Sequence, residues 1–342
     1  MTDQHETYMR RALELAELGK GEVGPNPMVG CVIVHDGKII GEGYHQKYGE
    51  PHAEPNAISM VKDKSLLSAS TLYVTLEPCA HYGKTPPCAH LLVDHKIKKV
   101  VIGAVDTNPL VGGKGIDILQ NAGVEVVTGV MEKGARWQNR RFFTFMEKKR
   151  PYIILKWAQT TDGFVARADY SSKWISNAHS RQLAHRWRAE ETAIMVGTNT
   201  AYYDDPRLNV RGWAGRNPLR IVIDKKLTLD TSLHLFDGSQ PTLCYNTVRE
   251  EKMENLDYVK LEEDFTIHDI LDDLYARKVQ SLIVEGGTVL LQHFISDALW
   301  DEARVFTGNV AFGQGIPAPR LHVAPVQTLD VMQDRLDIYL HQ

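Results

Sequence analysis

From residue 30 to residue 127, short apolar runs rich in β-branched side chains alternate with stretches of helical periodicity, and the alternation resumes after Pro151. Strands spaced by helices of this length point to layered α/β domains. In the first half, Met9, Ala12, Leu13, Ala16 and Gly19 fall on one face of an opening helix. Residues 30–34 and 39–43 flank Asp36-Gly37, a strong hairpin signal. The expected order continues with helix 52–61, strand 72–76, helix 87–94, strand 100–105, helix 115–121, strand 124–127 and one long helix from Glu132 to Met146. After Pro151, strands are expected at 152–158, 193–197, 219–224, 242–245 and 281–284, with helices at 180–189, 267–276 and 289–295. The charged run Glu147-Lys148-Lys149-Arg150 reads as a linker, so the 342 residues divide into an α/β domain over 1–147 and a second over 148–342.

Charge narrows the function classes. With 39 basic against 43 acidic residues the formal charge is −4, and no global field draws the chain to nucleic acid or to an anionic membrane. No run approaches the roughly 20 apolar residues of a membrane span, and the first 18 residues lack the apolar core of a secretory signal. A cytoplasmic location is expected. Four cysteines are too few for a disulfide framework in a chain this long, which leaves a metal or catalytic role for some of them.

His52-Ala53-Glu54 opens one expected helix, Pro78-Cys79 opens the loop before another, and Cys88 follows nine positions on. An imidazole and two thiolates hold zinc tetrahedrally and leave the fourth position for water, whose pKa can fall to about 7. Glu54, two residues from the ligand, is placed to carry a proton to a leaving group while staying outside the coordination sphere. His-x-Glu with Pro-Cys is the zinc deaminase signature, except that eight residues rather than two separate the cysteines here. The competing reading is a structural zinc or two unrelated buried cysteines; a structural site would want a fourth protein ligand and does not explain the glutamate. Cys31 and Cys244 lie in apolar strand contexts and read as core.

Gly24-Pro25-Asn26-Pro27-Met28-Val29-Gly30, His52-Ala53-Glu54-Pro55-Asn56-Ala57, Glu77-Pro78-Cys79 and Gly83-Lys84-Thr85-Pro86-Pro87-Cys88 together resemble the bifunctional deaminase/reductase family of riboflavin biosynthesis. The long inter-cysteine loop ending in Thr-Pro-Pro-Cys separates that family from cytidine and tRNA-adenosine deaminases. The resemblance implies a cytidine-deaminase-like α/β/α domain acting on 2,5-diamino-6-(ribosylamino)-4(3H)-pyrimidinone 5′-phosphate, whose 2-amino group is replaced by oxygen. Asn26, with an amide that donates and accepts, suits a pyrimidine edge, and Lys84 or His45 could meet the phosphate as compact cations.

Phosphate-loop patterns mislead in this chain. Gly19-Lys20-Gly21-Glu22-Val23-Gly24 is a literal G-x-G-x-x-G, yet it follows a helix and runs into Pro25-Asn26-Pro27. Gly112-Gly113-Lys114-Gly115 reads as a tight turn into a helix. In the second half, Glu285-Gly286-Gly287 follows a strand and runs into a helix, an arrangement that would let backbone approach a ligand but that on its own reads more readily as a strand-to-helix turn.

The resemblance continues through Lys156-Trp157-Ala158, Trp174-Ile175-Ser176, Arg186-Trp187-Arg188, Val196-Gly197 with Thr200, Asp204-Asp205-Pro206 with Leu208 and Arg211, and Glu285-Gly286-Gly287, in the family's order. It implies a dihydrofolate-reductase-like α/β domain that uses NADPH to reduce the ribosyl C1′ to a ribityl chain. Carried over residue by residue, Ala158, Trp174, Thr200, Asp204 and Gly287 would line the NADPH side. Ser172, Arg188, Leu208, Arg211 and Glu285 would line the substrate side, where an arginine fork fits a sugar phosphate. The chain departs from the family at Thr160-Thr161-Asp162-Gly163, where Ser-Leu-Asp-Gly is usual, which places local cofactor contacts in question. The expected partner is a small pyrimidine ribose phosphate. The resemblance allows a homodimer through the second domain, for which the sequence holds no independent signal.

Two other readings compete: a nucleoside or nucleotide deaminase with an unrelated second domain, and a zinc-stabilised nucleic-acid-binding module. The second would require a concentrated basic stripe, and the linker run offers only Lys148, Lys149 and Arg150, with Glu147 beside them.

Overall fold

A computed structural model describes residues 2–80, 86–108, 111–171 and 175–341. The chain forms two compact units, residues 1–149 and 150–342.

Unit 1 runs α1 (Thr2–Glu17), β1 (Gly30–His35), β2 (Lys38–Tyr44), α2 (Ala53–Met60), β3 (Thr71–Leu76), α3 (Cys88–Asp94), β4 (Lys99–Ala104), α4 (Lys114–Asn121), β5 (Glu125–Val127), α5 (Glu132–Gln138) and α6 (Arg140–Lys148). The sheet order is β2-β1-β3-β4-β5, with β1 antiparallel to both neighbours and β3, β4 and β5 parallel. Asp36 and Gly37 both take positive φ, 46° and 73°, which matches the hairpin turn to the twist of its strands. Strand alternation then divides the core. Cys31 and Ile33 face α2, α3 and α4, whereas Val32 and Val34 face Met9, Ala12 and Leu15 of α1. The unit is therefore a three-layer α/β/α sandwich.

Two expectations change in unit 1. α1 stops at Glu17, so Gly19 lies beyond it, in a turn where its amide donates to the Ala16 carbonyl at 3.1 Å. The single helix expected from Glu132 to Met146 is two helices. At the break, the Asn139 side chain is 3% exposed and committed to the backbone of Met28, accepting from its amide at 2.8 Å and donating to its carbonyl at 2.7 Å. The charged run spans the division between the two units, after Lys149. Its first two residues end α6, and Arg150 makes a two-pronged pair with Asp301 at 2.6 and 2.9 Å.

Unit 2 runs β6 (Tyr152–Gln159), β7 (Phe164–Ala166), α7 (Ala178–Glu190), β8 (Ala193–Gly197), α8 (Thr198–Asp204), β9 (Leu219–Ile223), β10 (Thr242–Asn246), β11 (Glu251–Lys252), β12 (Leu256–Lys260), α9 (Ile267–Ala276), β13 (Ser281–Val284), α10 (Thr288–Ser296), β14 (Glu302–Thr307), β15 (Ile316–Pro317), β16 (Gln327–Val331) and β17 (Asp334–Leu340). The main sheet has the order β11-β12-β10-β9-β8-β13-β6-β14-β17-β16. Its seven central strands, β12 to β14, are parallel, and antiparallel strands flank them. Apolar runs in β6, β8, β9 and β13 are buried on both faces, by α9 and α10 on one side and by Trp187 of α7 and Ala201 of α8 on the other. Among the described residues, no helix is long and apolar enough to cross a membrane.

Candidate active sites

In unit 1 the parallel strands deliver chemistry at their carboxyl ends. His52 caps α2, Cys79 follows β3 by three residues, and Cys88 is the first residue of α3. Helix and strand termini thus bring the three residues together although 36 positions separate the outer pair. His52 Nδ1 lies 3.6 Å from Cys79 Sγ and 3.5 Å from Cys88 Sγ, and one ligand atom from each residue falls within 4.8 Å of the others. The Cys88 amide donates to Cys79 Sγ at 3.3 Å. Contact with Cys88, and then His52, drives the Cys79 thiol well down, while its sulfur neighbour and burial drive Cys88 up. Two sulfurs pressed together want a cation before both can ionise, so the donor set fits zinc. Glu54 is 3% exposed, and burial followed by the charge of Cys79 pushes its carboxyl up to about 7.

Glu77 anchors this arrangement. It is 4% exposed, and its carboxylate accepts four amides: Gly115 at 2.9 Å and Ile116 at 3.3 Å on Oε1, Gly113 at 3.0 Å and Asp106 at 3.2 Å on Oε2. The glycine run is indeed a turn into α4, and what it wraps is this carboxylate. Gly115 has no room for a side chain, because a Cβ there would stand 2.0 Å from the Pro78 carbonyl oxygen.

Asn26 meets His45 rather than open space: its Nδ2 is 3.1 Å from His45 Nε2, and His45 Nδ1 is 3.1 Å from the Pro51 carbonyl. His45 is 2% exposed, and burial lowers its pKa. Buried and with both ring nitrogens engaged, His45 faces Asn26 and Pro51 rather than standing open as a compact cation. Lys84 lies outside the described residues. Cys31 and Cys244 are core, each 0% exposed.

In unit 2 a cavity of about 920 Å³ opens at the carboxyl ends of β6, β8, β9 and β13. Ala158, Thr200, Asp204 and Gly287 line it, as do Arg188, Leu208, Arg211 and Glu285; Ser172 and Trp174 lie outside the described residues. Gly286, at φ 129°, occupies backbone space that glycine alone adopts readily, and a Cβ at Gly287 would come within 3.0 Å of Thr200 Oγ1. Arg188 lines the cavity with its guanidinium braced from within: Nε and Nη2 each lie 2.7 Å from Glu285, and Nη1 donates to the Asn209 carbonyl. Lys156 Nζ adds a third contact to Glu285 at 3.4 Å. Burial alone would raise the Glu285 carboxyl, but Arg188 and Lys156 outweigh it and hold the group at about 2. Arg211 remains exposed at the cavity wall with Nη1 on Asn209.

Lys156 carries no assignment from sequence, yet its ammonium within the apolar run of β6 is the kind of interruption that marks a site. The departure at Thr160-Thr161 is scaffolding. Thr160 is 0% exposed and donates to Asp162, whose carboxylate in turn accepts the amides of Phe312 and Gly313, and no residue in 159–163 lines the cavity.

Comparison with known proteins places both units. A family model for the cytidine and deoxycytidylate deaminase zinc-binding region matches residues 2–104, and one for the RibD C-terminal domain matches residues 151–330. The riboflavin biosynthesis protein RibD of Aquifex aeolicus is 42% identical over 326 residues, covering 94% of this chain and 91% of the relative. Its Escherichia coli counterpart is 36% identical over 330 residues, with 91% and 89% covered. Among solved structures, a diaminohydroxyphosphoribosylaminopyrimidine deaminase/5-amino-6-(5-phosphoribosylamino)uracil reductase from Thermotoga maritima superposes with a TM-score of 0.87 at 36% identity over 98% of each chain. Acinetobacter baumannii RibD superposes with a TM-score of 0.90 at 34% identity over 100% of each. The folds are those of a cytidine-deaminase-like domain and a dihydrofolate-reductase-like domain. With identity at this level running through both units, and with His52, Cys79 and Cys88 brought together in the first as a group that could hold a metal ion, the chain belongs to the RibD family of riboflavin biosynthesis proteins.

Proposed function

We propose that the chain performs two successive reactions on one pyrimidine ribotide. Unit 1 replaces the 2-amino group of 2,5-diamino-6-(ribosylamino)-4(3H)-pyrimidinone 5′-phosphate by oxygen, releasing ammonia, and unit 2 reduces the ribosyl C1′ of the product to a ribityl chain. The observation that carries the reading is the convergence of His52, Cys79 and Cys88 within 4.8 Å, with buried Glu54 two residues from His52. Those three side chains would hold zinc, which supplies Lewis-acid activation of water when bound. Glu54 is the proton carrier, taking a proton at its carboxylate and returning it to the departing nitrogen. Asn26 offers its amide to the pyrimidine edge.

In unit 2, Ala158, Thr200, Asp204 and Gly287 form the wall suited to NADPH, which supplies the hydride when bound. A cavity of about 920 Å³ whose glycine pair leads into a helix N-terminus fits such a cofactor. Leu208, Arg188 and Arg211 form the substrate wall, and Arg211, exposed there, offers guanidinium donors to the ribotide phosphate. Arg188 and Lys156 act by holding Glu285 ionised at that wall.

Incubating the zinc-loaded protein with the diaminopyrimidinone ribotide, with and without NADPH, tests both steps. Ammonia should be released without NADPH, and NADPH oxidation should begin only after deamination. Absence of ammonia release would overturn the reading of unit 1, and NADPH oxidation that ignores the deaminated product would overturn that of unit 2.

A further inference from the structure

His45 follows β2 directly and is 2% exposed, with its ring edge-on to that of His52, centroids 5.3 Å apart at 75°. Its Nδ1 faces the Pro51 carbonyl oxygen at 3.1 Å, and a carbonyl only accepts, so Nδ1 carries the proton. In the neutral ring Nε2 is then a bare lone pair. The Asn26 Nδ2 group, 3.1 Å away, donates into it. Turning the amide over would set Oδ1 against that lone pair, so the imidazole fixes which end of Asn26 points where. The frame behind it is rigid. The His45 amide donates to Val29 at 2.9 Å, and Pro51 also accepts from Asn56 Nδ2, which is held by the Tyr44 carbonyl at 2.8 Å. Among the described residues, Asn26 Oδ1 takes no partner.

We infer that His45 is a positioning residue for substrate recognition in unit 1: Pro51 sets its tautomer, and the tautomer orients Asn26 so that Oδ1, an acceptor, is the atom offered to an N–H of the pyrimidine. The inference rests on reading unit 1 as a deaminase of the diaminopyrimidinone ribotide. With both ring nitrogens engaged and 2% exposure, His45 acts in this reading through Asn26.

The test uses full-length, zinc-loaded Glu54→Gln protein, in which turnover is suppressed, and measures the Kd of the ribotide by calorimetry. His45→Phe keeps the ring against His52 but loses both nitrogens. His45→Asn keeps a donor for Pro51 but cannot reach Asn26, whereas His45→Gln can place an acceptor where Nε2 stood. The first two, and Asn26→Ala, should each weaken binding about tenfold, the scale of one hydrogen bond. His45→Gln should return to within about twofold, and His45→Phe with Asn26→Ala together should bind no more weakly than Asn26→Ala alone. Losses that multiply to about a hundredfold in the double variant, or unchanged affinity in His45→Asn, would overturn the inference. If the parent fails to bind the ribotide and the wild type releases no ammonia from it, the deaminase reading falls and takes the inference with it. Binding by the parent isolates the role of His45.

Discussion

Replacing Glu77 with glutamine alters one atom of a side chain that is 4% exposed and turns an acceptor of four amides into an acceptor of two. Either the Gly115 and Ile116 amides or the Gly113 and Asp106 amides would then face an NH₂ group. Hydrogen bonds to a charged acceptor are worth about 1.5–3 kcal/mol each, and two that share an oxygen are not independent, so the expected cost to unit 1 is about 3 kcal/mol. The damage should reach the metal ligands, because Glu77 is two residues before Cys79 and the amides it loses hold the loop packed on Pro78. Urea unfolding of unit 1 at a fixed, buffered zinc concentration reads the first effect, since bound zinc itself adds to apparent stability. Zinc affinity by chelator competition reads the second. A Glu77→Gln protein within about 0.5 kcal/mol of wild type, with unaltered zinc affinity, would refute the reasoning.

Gly115→Ala tests the same anchor by volume. Its Cβ would stand 2.0 Å from the Pro78 carbonyl, so a loss of about 1–3 kcal/mol in unit 1 and weaker zinc binding are expected by the same two assays. In unit 2, Glu285 is held at about 2 against an ordinary 4.5, so the unfolded chain takes up the proton first. Its contribution is therefore complete above about pH 5 and is lost as the pH falls toward 2, on the order of 3 kcal/mol in all. Urea midpoints measured across that range should fall more steeply for wild type than for Glu285→Gln, and parallel curves would contradict the assignment.

Much of the fold was legible because its strands are apolar and its helices periodic. The strand expected at 281–284 and the helix expected at 267–276 coincide with β13 and α9. Elements went unread where polar residues are buried with partners. β14 carries Glu302 and Arg304, paired at 2.6 Å, and Asp334 of β17 accepts the Asn177 amide at 2.7 Å, so neither strand shows a clean apolar pattern. α8 is seven residues long, opens Thr198-Asn199-Thr200 and has one buried side chain, Ala201, so no stripe announced it. It nevertheless carries Thr200 and Asp204 to the cavity. At the metal site the residue types and their order were readable, because a zinc site restricts chemistry more than it restricts spacing. Partnerships were not. That Arg188 spends its fork on Glu285, and that His45 serves Asn26, depends on contacts across 97 and 19 positions that no local pattern encodes. The break at Asn139 has the same origin, a side chain satisfied 111 residues away.

Ammonia release from the diaminopyrimidinone ribotide by Glu54→Gln protein carrying one zinc per chain bears most directly on whether three side chains hold the ion while a fourth moves the proton. The expected result is full zinc occupancy with a rate about 10²–10⁴-fold below wild type, since an amide cannot take up and return a proton. Release at the wild-type rate from fully loaded variant would contradict it.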